Sequence, residues 1–495
     1  MDQFLQFKQY IEEVAASCRQ RVQVIRKVAS KNWGGDRRTL TKLYRATVLE
    51  KMLYGAPITS AGSNAVLQKL ETIHNSGLRA ICGAFHTSPI SSIQAKVGIP
   101  SLRTLLDQRT AIFAARRLAS VPDLEIPNDA ETSAHENSST DSNSSGELWN
   151  SIPVRPTATA TARGKEILSS LQIQIPTLHR FILPTSAPWE RIAPSVDKSL
   201  LQAVRNGATV AELVRTFLSR RATKYRHYSA VYTDGSKQAS RCGYGVVCGD
   251  MVIRRRINGM CSIFDADSQA IKKALQWISH QRTGAYMICT DSLSAITALD
   301  RRKITSKWKD ETVKLYKQIT TQGTAVTFFW VPGHVGIHGN EREDREAKRS
   351  LQEQLTQEPL SFDDFKTIIK TRTLWTWNST WLSTRSKMAE VKNSVLPYSE
   401  AFTAVRKEDV ILARLRIGHI QITHCYLLER KEPPHCTMCD APLSVKHILT
   451  ECQGLETERR HAGLTNSIRE SLADDINRAQ KVLKFLKNIK LFNCI

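Results

Sequence analysis

Between residues 226 and 351 the hydrophobic period changes several times over a short distance, and this restricts the fold more than any other feature of the chain. Short β-rich runs at 231–233, 244–248 and 252–257 predict three strands. Residues 267–280 carry apolar side chains at three- and four-residue spacing and predict a helix. A buried strand at 286–290, helices at 292–299 and 306–320, a strand at 325–331 and a helix at 340–351 complete the order. Such an order predicts an α/β domain over 226–351, a mixed five-stranded sheet with flanking helices.

A chain of 495 residues exceeds one ordinary core. Residues 1–120 read as helical and hold 18 Lys/Arg against seven Asp/Glu. Residues 121–164 are acidic and rich in Ser and Thr, too polar to bury a core, and read as a disordered linker. Residues 165–225 read as a linker with helices, one of them near 207–222. Residues 352–410 read as a helical connector that contains Trp375, Trp377 and Trp381, aromatics that suit a core better than base stacking. Residues 411–455 form a small Cys/His unit, and 456–495 basic helices. The net charge of +23 points to polyanionic partners. No run of 18 uncharged apolar residues occurs and the start of the chain does not read as a signal peptide, so no membrane association and an intracellular location, cytoplasmic or nuclear, are expected.

Four segments of the α/β domain place acids where strands end or helices begin. They are Tyr232-Thr233-Asp234-Gly235-Ser236, Phe264-Asp265-Ala266-Asp267, Cys289-Thr290-Asp291-Ser292 and Asn340-Glu341-Arg342-Glu343-Asp344. The last follows Trp330-Val331-Pro332-Gly333-His334. One acid at such a junction is normally a cap or turn residue. Four in one domain suit hard divalent cations, which take carboxylate oxygens and can clamp a phosphodiester in pairs.

These motifs, in this order and spacing, resemble the type 1 ribonuclease H domain of non-LTR, LINE-like retrotransposon polyproteins. The resemblance implies hydrolysis of the RNA strand of an RNA–DNA hybrid with two Mg²⁺ or Mn²⁺ ions. It implies that Asp234, Asp267, Asp291 and Asp344 hold the metals and that His334 assists proton movement or product release. Gly235 would let the backbone approach the hybrid. Ser236 and Asn340 would contact it, with helix capping an equal alternative for Asn340. Asp267 departs from the family, which has Glu there; Ala270, Ile271, Ala274 and Leu275 hold the register. The loss of one methylene leaves a catalytically impaired nucleic-acid-binding remnant as the alternative to an active enzyme.

Cys436-x2-Cys439-x7-His447-x4-Cys452 has the spacing of a tetrahedral Zn²⁺ site. Cys425, His424 and His435 lie close enough to compete as ligands. The unit resembles the C-terminal zinc knuckle of the same polyproteins, with structural Zn²⁺ and flanking bases for RNA or DNA. Trp33-Gly34-Gly35, Leu43-Tyr44, Leu53-Tyr54-Gly55 and Leu78-Arg79-Ala80-Ile81-Cys82-Gly83-Ala84 are similar to the thumb-like segment after a reverse transcriptase palm. The aromatic-x-Asp-Asp turn of a polymerase is missing. Leu472-Ala473-Asp474-Asp475 comes nearest and reads as a solvated helix face, so no polymerase activity is expected. The chain is expected to correspond to the C-terminal part of such a polyprotein.

Overall fold

The computed structural model describes residues 8–120, 159–179, 192–304, 306–396 and 405–495. Two units emerge: one of Met1–Ala114, Pro127–Ile173 and Ile369–Ile495, the other of Ala115–Ile126 and Gln174–Ile368.

The second unit is built on a six-stranded sheet. Its strands are β1 (Val196–Asp197), β2 (Ser229–Gln238), β3 (Arg241–Cys248), β4 (Met251–Ile257), β5 (Ala285–Thr290) and β6 (Ala325–Trp330), in the spatial order β1-β6-β5-β2-β3-β4. β2, β3 and β4 form an antiparallel meander, whereas β5 runs parallel to β2 and β6 parallel to β5. The expected count of five strands is therefore corrected to six. The addition, β1, pairs Val196 with Phe328 and Asp197 with Phe329. Two residues are too few to display a period, and β1 lies in the segment read as linker.

Six helices cover the sheet: α1 (Ser199–Arg205), α2 (Val210–Ala222), α3 (Ile263–Ile278), α4 (Leu293–Asp300), α5 (Lys307–Thr321) and α6 (His338–Ser350). Alternation along β6 sends successive side chains to opposite faces. Phe328 meets Tyr316 of α5, and Phe329 meets Phe217 of α2 edge-on, with ring centroids 5.8 Å apart in each pair. Ser262 caps α3 by accepting from the Asp265 N–H at 3.1 Å. That cap sets the start of the helix four residues before the predicted 267. Asp197 anchors β1: its carboxylate accepts from the Tyr225 hydroxyl at 2.7 Å and from Lys224 at 3.2 Å.

The first unit is helical, with Lys8–Lys27 and Asn64–Cys82 among its N-terminal members. Its core joins the two ends of the chain. Ile11, Val22, Tyr44, Leu70 and Ile81 pack in one cluster with Trp381, Met388, Ala413 and Ile417. Polar contacts follow the same path: Arg406 donates to the Ala80 and Ile81 carbonyls at 2.9 and 2.6 Å, and Arg414 to that of Gly83 at 2.8 Å. Residues from segments that read as separate in sequence, such as Tyr44 and Trp381, thus share one interior. A helix at Ala160–Ser170 begins inside the stretch read as linker and buries Gly164 and Leu168. The rest of that stretch, 121–158, lies outside the described residues.

The three tryptophans have separate environments. Trp381 is buried and donates to the Lys392 carbonyl at 3.0 Å, and Trp377 packs on the core. Trp375 is exposed, with the Arg372 guanidinium 4.5 Å from its ring centre. The Leu472–Asp475 string is not a helix face: Asp475 caps the helix Ile476–Asn488, accepting from the Arg478 N–H at 2.8 Å.

Candidate active site and metal centre

Asp234 stands on β2, paired across the ladder with Gly245 of β3. Asp291 follows the end of β5, where the parallel register pairs Thr290 with Thr233, so the two aspartates are next in line on neighbouring strands. Asp267 reaches this place from α3, its Oδ1 accepting from the Gly235 N–H at 2.9 Å. Asp344 enters from α6. His334 lies on the loop between β6 and α6, exposed, at φ +56°, a conformation that costs a non-glycine residue energy. On the same loop, a Cβ added to Gly333 would lie 2.8 Å from Asp291 Oδ2. Donor atoms of His334, Glu341 and Asp344 all lie within 4.8 Å of one another. The four aspartates form no such tight group among the described residues.

The electrostatics are those of a site short of positive charge. Burial, reinforced by Asp291, Asp267 and Asp344, pushes the Asp234 carboxyl up to about 8. Burial pushes Asp267 up to about 6, against hydrogen bonds from Ser292 and the Gly235 N–H. Asp291 is also raised, by burial, with His334 opposing the rise. Lys348 pairs with Asp344 at 2.6 Å. Like charges held together out of water favour protonation or a cation, and oxygen-only donors suit a hard divalent ion. The residues present fit such an ion.

One acid was missed in sequence. Glu343 is fully buried, and neither of its carboxylate oxygens has a hydrogen-bond partner. Burial, then Asp234 and Asp291, hold its carboxyl well above the usual range. The signal was present in the period: Asn340, Glu343, Ala347 and Ser350 make the buried stripe of α6 at spacings of three and four. An acid at a core position of that stripe needs a reason beyond solvation.

The residues expected to touch a hybrid are placed differently. Gly235 makes close room for α3, since a Cβ there would lie 2.6 Å from Asp267 Oδ1 and 2.7 Å from the Ala266 methyl. Its missing side chain serves helix packing. Ser236 and Asn340 are both buried, and α6 is capped at Ile337, so Asn340 is not the cap. Asp265 belongs to a second buried group with Cys261 and Asp364.

In the helical unit, donor atoms of Cys436, Cys439, His447 and Cys452 lie within 4.8 Å of one another. The sulfurs of Cys436 and Cys452 are 3.8 Å apart, those of Cys439 and Cys452 4.0 Å, and Cys439 Sγ is 3.2 Å from His447 Nε2. These are not disulfides; a tetrahedron with about 2.3 Å metal–sulfur bonds has sulfur–sulfur edges of about 3.8 Å. A tight turn presents the first pair: Cys436 N–H donates to the Ala441 carbonyl at 2.8 Å and Asp440 N–H to that of Cys436 at 2.9 Å. Hydrogen bonds from Met438 and His447 lower the Cys436 thiol to about 6. The three nearby competitors stay out of the set: His424 stacks on His419, with centroids 3.7 Å apart, while His435 and Cys425 contribute no donor to it.

The RNase H family model matches residues 226–352, which contain all five residues singled out around Asp234. No curated protein matches the chain. The chain therefore carries an RNase H domain, and the family's activity is nucleolytic, directed at RNA–DNA hybrids. No helix among the described residues is long and apolar enough to cross a membrane.

Proposed function

We propose that residues 226–352 form a type 1, metal-dependent ribonuclease H, an endonuclease that hydrolyses the RNA strand of RNA–DNA hybrids. Asp234, Asp267, Asp291 and Asp344 would hold two Mg²⁺ or Mn²⁺ ions. When bound, such ions supply positive charge to the phosphate and lower the pKa of water. The observation that carries the reading is the convergence of aspartates from four elements on one partly buried place, where burial and like charge together push the Asp234 carboxyl up to about 8. The chain's own residues do the positioning. The Gly235 N–H fixes Asp267, Lys348 orients Asp344, and the sheet register sets Asp234 beside Asp291. His334, exposed beside Asp344, takes or delivers a proton at its imidazole as the strand is cut. A contact to the 2′-hydroxyl would select RNA over DNA.

The Cys436, Cys439, His447 and Cys452 site is assigned to structural Zn²⁺, on sulfur–sulfur edges that match a tetrahedron. A knuckle of this kind C-terminal to an RNase H domain, on a basic chain, supports derivation from a non-LTR retrotransposon polyprotein. With it go the thumb-like reading of residues 1–120, further RNA and DNA contacts, and a cytoplasmic or nuclear setting.

The test is cleavage of a labelled RNA–DNA hybrid by the full chain with Mg²⁺ or Mn²⁺, beside Asp291→Asn and Asp267→Glu. Metal-dependent cutting that disappears in Asp291→Asn supports the enzyme. One observation favours the impaired remnant: the short Asp267 side chain is already tied to the Gly235 N–H. Hybrid binding without cutting, with cutting gained in Asp267→Glu, would establish that alternative.

A further inference from the structure

We infer that Glu343 is a fifth carboxylate of the acidic site and a direct ligand of a divalent cation there. The inference rests on the metal-binding reading above. Asp234 and Gly245 are direct partners across the β2–β3 ladder, so their side-chain positions share one face of the sheet. A Cβ built on Gly245 would lie 2.7 Å from Glu343 Oε1. Paired Cβ positions on one face are about 4.5–5.5 Å apart. The Glu343 carboxylate thus occupies the place beside Asp234 that a larger residue at 245 would fill.

Its surroundings are negative. The ionisable groups acting on it are Asp234, Asp291 and Asp344. The cation on this part of α6, Lys348, is bound to Asp344. Glu346, a buried glutamate on the same helix, shows the ordinary solution: it pairs with Arg254 at 2.5 Å and Arg349 at 2.6 Å. Glu343 has no arginine partner, neither oxygen is in a well-formed hydrogen bond, and the Asp234 backbone N–H offsets its burial only in part. A buried carboxylate is tolerated when a charge or hydrogen bonds compensate it. The chain supplies no counter-charge, so either a proton or a cation must complete the compensation, and the convergence of Asp234, Asp291 and Asp344 beside it points to the cation. Nor does Asp267 make Glu343 redundant, because one Asp267 oxygen is spent on the Gly235 N–H.

The experiment is a Mn²⁺ titration of the full chain without nucleic acid, read by the spin-resonance signal of free Mn²⁺ and by calorimetry. Parent, Glu343→Gln and Asp291→Asn are compared. We expect Glu343→Gln to weaken at least one bound ion tenfold or more, while its melting temperature in chelator stays at or above the parent's. Parent-like Mn²⁺ affinity and stoichiometry in Glu343→Gln, alongside uptake lost in Asp291→Asn, would overturn this inference and leave the metal site standing. No Mn²⁺ uptake sensitive to Asp291→Asn would overturn both. Should Glu343→Gln not fold, Glu343→Met, of similar volume and without polar oxygens, carries the same two outcomes.

Discussion

The two candidate metal sites differ in how far the chain alone assembles them. The Cys/His set spans 17 residues of sequence, from Cys436 to Cys452, and its four donor atoms already lie within 4.8 Å of one another. The carboxylate set is drawn from β2, α3, the end of β5 and α6, and its aspartates do not gather so closely among the described residues. Part of the difference is charge. Thiols and a neutral imidazole can approach as neutral species, whereas carboxylates repel until protonated or bridged. A local loop can also be shaped by its own turn. A site built from four elements inherits its spacing from the packing of a whole sheet. On the proposed reading, the first arrangement suits holding an ion and the second exchanging one.

The largest effect that would break this contrast is at Asp291. Asp291→Asn is expected to lower hybrid cleavage by roughly 10³-fold or more, with no loss of thermal stability, because it removes a half-buried charge from among like charges. Activity and melting temperature measured on one preparation check both halves. A large fall in stability would mean that the carboxylates hold the fold, as the Cys/His set is expected to.

At the Cys/His site the opposite balance is expected. Cys452→Ala should abolish stoichiometric Zn²⁺ retention and destabilise its unit by several kcal/mol, because the buried Cys452 sulfur lies against those of both Cys436 and Cys439. Zinc release measured with a colorimetric chelator, together with thermal melting, reads the two consequences. A variant that keeps both metal and melting temperature would show the sulfurs to be together for packing alone.

The sequence was most legible where chemistry and period coincide. Strand ends and helix starts of the α/β domain were readable because Asp234, Asp291 and Asp344 interrupt clear apolar periods. The Cys/His cluster was readable because Cys436-x2-Cys439 is a local spacing, which a turn closes without help from elsewhere. What escaped notice depends on distant packing. β1 is two residues long and exists because β6 offers an edge. Glu343 was read as one more acid in an acidic helix start, since only the docking of α6 on Gly245 shows its carboxylate to be buried. The joining of residues 1–120 to Trp381 and Ile417 in one core has no local signature at all.

The pH dependence of stability sharpens the comparison from both sides. Asp234 has a folded-state pKa of about 8 against a usual value of 3.8. A carboxyl raised on folding contributes stability that is complete below pH 4 and is lost as pH rises through 8. In chelator, Asp234→Asn should therefore melt a few degrees above the parent at pH 8, and with the parent near pH 4. Excess Mg²⁺ should remove the difference. His74 of the helical unit has the opposite sign. Its Nδ1 contacts the Tyr44 hydroxyl at 2.7 Å and its Nε2 the Pro100 carbonyl at 3.0 Å, and burial lowers its pKa to about 4. A histidine depressed in this way stabilises the neutral-pH fold, and that contribution is lost as pH falls from 6.5 towards 4. Replacing His74 by Gln should flatten the acid side of the melting profile.

The smallest expected effect concerns the supports under each site. Ser262 caps α3, the helix that delivers Asp267, and Ser444 accepts from the His447 N–H at 3.0 Å beneath a Cys/His ligand. Each loses one hydrogen bond to a backbone donor on mutation to Ala, at a cost of about 1 kcal/mol. The two sites should nevertheless respond differently. Three sulfur donors remain to restrain His447 in Ser444→Ala, so Zn²⁺ affinity should change little. In Ser262→Ala the first turn of α3 loosens five residues before Asp267, whose place is otherwise held by hydrogen bonds from the Gly235 N–H and Ser292. Cleavage should fall a fewfold, since catalytic groups must stay within about 0.5 Å of the productive geometry. Comparable losses of stability with unequal losses of function would show that the carboxylate site draws its precision from the fold and the Cys/His site from its own ligands.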